Sequence, residues 1–165
     1  MFHVIPIADT IADAARATLR SPQYGHPAHI EVATGYGPCR SCLATFRAGE
    51  EERLLFTYDA FAGIDAYPEP GPIFVHRERC APHAGEGFPA GLHGLPLTLE
   101  AFGAGRWMMR REHVGERDPA ALLAELLALP GVRYVHLRNT EAGCFIARAE
   151  APPATQDHST ERQPS

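Results

Sequence analysis

A chain of 165 residues with 45% hydrophobic and 21% charged side chains has the make-up of one globular domain with a core of its own. Its formal charge of -5 at pH 7 supplies no basic field for nucleic acid or an anionic membrane, so neither is expected as a partner. All fifteen basic residues are arginine, which excludes a lysine Schiff base or a phosphate-loop lysine and leaves any anion to arginine forks and backbone amides.

In chain order, "FHVIPI" predicts a first strand, and Asp9 or Thr10 is placed to cap a helix carrying Ile11, Ala14, Ala15, Thr18 and Leu19 at helical spacing. The opening residues lack a signal peptide's charged start and apolar core, and no apolar run reaches membrane-spanning length. A cytoplasmic location with reduced thiols is the expectation. Residues 23–38 read as a loop followed or interrupted by a short strand at "HIEVA". "ERLLFTY" and "IFVH" predict strands separated by the turn-rich "FAGIDAYPEPGP". A long Gly/Pro-rich loop follows, then a hairpin of "LTLEAF" and "RWMMRREHV" about "GAG". Asp118 and Pro119 open a second helix, "AALLAELLAL", apolar on most faces and so expected to be well buried. A last hairpin pairs "VRYVHLR" with "CFIARAE". The fold expected is α+β: a single domain over residues 1–150, mainly an antiparallel, meander-like sheet with two helices, and a disordered tail over 151–165.

Four cysteines in a reducing compartment call for a metal, a catalytic or a packing role. Cys39 and Cys42 stand in C-x-x-C spacing behind a Gly/Pro turn, and "HRERC" places His76 four residues before Cys80. Together they make a Cys3His set whose soft thiolates suit zinc, although the intervening chain is longer than a compact finger needs. A redox dithiol is a second reading, weakened because no thioredoxin-like βαβ unit follows. A third reading lies in the last hairpin. A five-residue turn sets Arg138 opposite Cys144 and His136 opposite Ile146, so that Tyr134, His136, Arg138 and Cys144 share a face. An arginine there favours a thiolate nucleophile. Tyr67 and Glu69 stand in "YPEPGPIF", where three prolines hold the carboxylate in a fixed pose, for acid/base work or for pairing with an arginine.

With "PCR", "GEEERLLFTY", "YPEPGPIF", "LTLEAF" and "YVHLRNTEAGCFIAR" in hand, the chain resembles the bacterial domain-of-unknown-function family numbered twelve-oh-three. The resemblance implies a small bacterial cytoplasmic protein and no established activity. It implies a site made of Cys39, Arg40, Tyr67, Glu69, His136, Arg138, Asn139 and Cys144, and leaves Cys42, His76 and Cys80 as features of this sequence. The function expected is a pocket for a small anionic ligand, without a cofactor. In it Cys144, His136 and Cys39 are the catalytic candidates and Arg40, Arg138, Asn139, Tyr67 and Glu69 bind. The alternative is a zinc-stabilised, non-enzymatic binding module using Cys39, Cys42, His76 and Cys80. The two readings turn on whether "PCR" faces the "HLRNTEAGC" hairpin or "HRERC", and the hairpin is the expectation.

Overall fold

The computed structural model describes residues 1–154. Of the tail expected over 151–165, residues 155–165 lie outside the described residues, and 151–154 form no regular element. The chain is α+β and mostly antiparallel sheet. The strands are β1 (His3–Ile5), β2 (His29–Val32), β3 (Glu52–Asp59), β4 (Pro70–His76), β5 (Leu97–Phe102), β6 (Met108–His113), β7 (Tyr134–Asn139) and β8 (Phe145–Glu150). The helices are α1 (Asp9–Thr18) and α2 (Pro119–Leu127), with one short 3-10 turn at Ala90–Leu92. The strands divide between two sheets, one ordered β1-β8-β7-β5-β6 and the other β2-β3-β4. No helix among the described residues is long and apolar enough to cross a membrane.

Alternation along β5 and β7 explains the larger sheet. Leu97, Leu99, Ala101, Val135 and Leu137 turn to one face and pack against Leu122, Leu123 and Leu126 of α2. Each such leucine, fully buried, contributes roughly 1.5–3 kcal/mol. Asp118 caps α2 as expected, its side chain accepting from the Ala120 N–H at 3.1 Å, and Pro119 takes the first turn. The helix buries one face only, because Ala121, Ala124 and Glu125 stay exposed on the side away from the sheet.

The opposite face of the same strands carries Thr98, Glu100, His136 and Arg138, all buried. The chain between β3 and β4 covers it with Phe61, while Phe145 of β8 joins the second core. That core lies between α1 and the smaller sheet and includes Ile7, Ala12, Ala15, Leu54, Phe56, Ile73 and Val75. Ala8, with no capping side chain, precedes α1, and Asp9 is already its first residue. The buried face is Ala12 and Ala15, one position from the face the spacing suggested, so small side chains let α1 approach the sheet closely.

Two local expectations change. Pro70 and Pro72 belong to β4 and not to a turn; β4 is an edge strand, which tolerates the missing N–H groups. In the last hairpin the turn closes one residue later than expected, with Asn139 N–H on Cys144 O at 3.0 Å. The Asn139 side chain fixes it by accepting from the N–H groups of Glu141 and Ala142. Arg138 therefore faces Phe145, and a bulge sets Leu137 against Ala147 and His136 against Arg148. Ile146 is the extra residue of that bulge.

Candidate metal centre

The loop after residue 35 is shaped by its glycine and its turn. Gly37 has φ +92°, and the Phe46 ring occupies the space a Cβ would need. The Cys39 carbonyl accepts from Leu43 N–H at 2.9 Å and Cys39 N–H donates to Ala44 O at 2.9 Å, which curls Cys39 and Cys42 toward one point. His76 ends β4, and Cys80 lies in the loop beyond. The β3–β4 hairpin returns the chain to where it began, so its length is no obstacle to closing a four-residue set.

One ligand atom from each of Cys39, Cys42, His76 and Cys80 lies within 4.8 Å of all the others. Cys39 Sγ is 3.7 Å from Cys80 Sγ, and Cys42 Sγ is 3.5 Å from His76 Nδ1. A tetrahedron with Zn–S near 2.3 Å and Zn–N near 2.0–2.1 Å has S···S edges of about 3.8 Å and S···N edges of about 3.5 Å. The two distances match these edges.

The surroundings suit the same set. His76 Nε2, the nitrogen left over, sits 3.5 Å from Glu51 Oε1, the carboxylate–imidazole arrangement that orients a metal-bound histidine. Arg16 reaches in from α1, donating from Nη2 to Cys80 Sγ at 3.4 Å and from Nε to His76 O at 3.0 Å. Three thiolates on a dication leave one negative charge, and Arg16 is placed to balance it. The His76 N–H donates to Cys39 Sγ at 3.3 Å. Hydrogen bonds from the Cys42 and Cys80 thiols, with help from that N–H, hold the buried Cys39 thiol far below its usual range. Neither Arg16 nor Glu51 carries a signal in the sequence, since only the packing of α1 and the close of the 47–51 turn bring them here.

Arg40 goes the other way. Its guanidinium, 1% exposed, donates to Phe145 O at 2.6 Å, to Pro38 O at 2.5 Å and to Cys144 Sγ at 3.1 Å. Burial pushes the guanidinium below its usual range, and Cys144 opposes the shift. "PCR" thus faces both partners at once, Cys39 toward "HRERC" and Arg40 toward the hairpin.

Beyond Cys144 a cavity of about 120 Å³ is lined by Tyr58, Glu69, Arg138 and Phe145 among others. Arg138 is occupied within the protein: Nε lies 2.7 Å from Glu100 Oε2, Nη2 3.4 Å from Glu69 Oε1, and Nη1 donates to Gly143 O at 3.1 Å. Glu100 also holds Arg111 at 2.6 Å, and Glu69 pairs with Arg106. Asn139 donates to Tyr36 OH at 2.7 Å. His136 is fully buried among Phe61, Phe102, Tyr134 and Phe145, and neither ring nitrogen has a partner among the described residues. Desolvation, with the charges of Arg138, Arg148 and Arg106 adding to it, lowers its pKa to about 3. Tyr67 stands apart from this group, 85% exposed beside Arg106 and Trp107.

The profile of a family described as "Protein of unknown function (DUF1203)" matches residues 36–150, a span that holds all four candidate ligands. No curated protein and no solved structure matches the chain.

Proposed function

The chain belongs to the DUF1203 family, and from that premise we propose that it is a zinc-stabilised, non-enzymatic module in which Cys39, Cys42, His76 and Cys80 hold one zinc ion. The observation that carries the reading is the pair of tetrahedral edges, 3.7 Å between Cys39 and Cys80 and 3.5 Å between Cys42 and His76. Four protein ligands fill a tetrahedral site, which makes it structural; a catalytic zinc keeps a position for water or substrate. The ion would tie the 39–42 loop to the end of β4 and the loop behind it. Its binding energy would then appear as folding energy. A pocket for a free anion has less support, because the donors of Arg40 and Arg138 are already spent on protein acceptors.

Metal analysis of protein purified without added zinc is the test. One zinc per chain is expected, with a marked fall in melting temperature under chelator and loss of the ion in Cys39→Ser or His76→Ala. Substoichiometric metal together with a chelator-insensitive melting curve would overturn the proposal.

A further inference from the structure

Resting on the zinc reading, we infer that Cys80 is a site of oxidation by small hydroperoxides and Cys39 its resolving thiol, so that oxidation exchanges the metal clamp for a Cys39–Cys80 disulfide. Three observations combine here. Cys80, like Cys42, is half-buried whereas Cys39 is 0% exposed, so of the Cys39–Cys80 pair a small oxidant meets the Cys80 sulfur first. The Arg16 guanidinium lies 3.4 Å from Cys80 Sγ and is itself fixed on His76 O and Asp13. A cation held there steadies an anionic sulfur and the oxygen leaving an approaching peroxide. Cys39 Sγ lies 3.7 Å from Cys80 Sγ, while Cys42, also hydrogen-bonded to Cys39, has His76 Nδ1 at 3.5 Å as a further partner.

The chemistry balances with peroxide as the oxidant. The Cys80 thiolate attacks one peroxide oxygen; an S–O bond forms, the O–O bond breaks, and the departing hydroxide takes a proton to become water. The Cys39 thiolate then attacks the sulfenic sulfur; the S–S bond forms, the S–O bond breaks, and a second hydroxide takes a second proton. Two thiolates, one peroxide and two protons become one disulfide and two waters. Only Cys42 and His76 would then remain to hold a zinc ion, too few for a tetrahedral site. The new bond joins the same two segments that the metal joined, closing a loop between positions 41 apart. The oxidised chain therefore keeps its fold while releasing its ion. Cys144, whose sulfur is engaged by Arg40, does not take part.

The experiment treats full-length, zinc-loaded protein with hydrogen peroxide. Released zinc is followed with a chromophoric chelator, disulfides by peptide mapping after alkylation, and the fold by circular dichroism. One zinc released per Cys39–Cys80 disulfide is expected, with the fold retained and the change reversed by dithiothreitol and zinc. Arg16→Met, loaded at saturating zinc and compared with the same variant left untreated, is expected to form the Cys39–Cys80 disulfide about tenfold more slowly under peroxide, the loss of roughly one favourable charge contact. A disulfide to Cys42 or Cys144, or zinc loss with none, would overturn the inference. So would retention of zinc under peroxide, which leaves the zinc reading intact. If the purified protein carries no zinc, that reading fails by itself. The mapping still decides this inference, since a Cys39–Cys80 disulfide in the metal-free chain supports the thiol pairing and its absence overturns it.

Discussion

Cys39 and Arg40 are neighbours in one turn and belong to two centres of opposite character. On the Cys39 side, three sulfurs and an imidazole nitrogen crowd within 4.8 Å, a set of electron-pair donors gathered about one point. On the Arg40 side the cation is supplied by the chain, and Nε, Nη1 and Nη2 each donate to a protein acceptor. The first centre gathers groups of one kind that could hold a metal; the second pairs donor with acceptor inside the chain. A cluster of polar residues therefore announces a ligand when its groups share one sign of hydrogen-bonding need, and announces structure when donors and acceptors cancel.

The strongest way to break the comparison is Arg40→Met. Removing a buried guanidinium leaves the Phe145 and Pro38 carbonyls unpaired between the two sheets, and a loss of about 3–5 kcal/mol is expected in denaturant melts. Zinc stoichiometry should stay unchanged when folded protein is assayed at low temperature. Loss of zinc in step with stability would mean that the turn is one cooperative unit and that the two centres cannot be separated.

His136 sharpens the Arg40 side from a different direction. Its pKa is about 3 in the folded chain against an ordinary value of 6.5, so the unfolded chain binds the extra proton between those limits. Stability is full above about pH 6.5 and falls as pH drops, at about 1.4 kcal/mol per unit, reaching about 2.7 kcal/mol near pH 4.5. The charges that add to the desolvation are Arg138 and Arg148 from β7 and β8 and Arg106 from the β5–β6 turn, all positive, while Glu100 stands across from His136 on β5. His136→Phe is expected to flatten this part of the pH profile measured by chemical denaturation. A variant with the wild-type slope would assign the acid lability to the carboxylates of the arginine chain.

On the metal side the expected effect is smaller and appears in affinity. Glu51→Ala removes the carboxylate at 3.5 Å from His76 Nε2 and should weaken zinc binding about 10–100-fold, read by competition with a chelator, while one zinc still binds at saturation. Unchanged affinity would leave Glu51 its contacts with Arg47, the N–H at 2.7 Å and Nη2 at 3.6 Å.

Much of this architecture is legible in the sequence where apolar runs are long. The strands of β3, β5 and β7, the capped α2 and the last hairpin are readable from their residues. The division into two sheets is not, because it depends on β1 pairing with β8 across the whole chain. The bulge at Leu137/Arg138 is also invisible, since Ile146 reads like any strand residue. The Cys3His set is legible from its two short spacings. Its plausibility is not, because the length of the segment between them says nothing about whether a hairpin brings its ends together. Weighing Cys39 against one partner or the other is undone by a simpler fact: adjacent side chains in a turn diverge, so Cys39 and Arg40 serve both.

Glu69→Gln is the smallest perturbation and bears on the anion pocket directly. The side chain is 38% exposed between Arg106 and Arg138, so neutralising it should cost less than about 1 kcal/mol. Arg138 keeps Glu100 at 2.7 Å, a partner that is nearly buried, and stays neutralised in the variant. Added sulfate should therefore raise the melting temperature of wild type and variant by the same amount. A sulfate effect confined to the variant would mean that Glu69 occupies the place of an anion and that Arg138 opens as a fork once the carboxylate is removed. The second centre would then be a ligand site too, with an internal carboxylate standing where the anion binds.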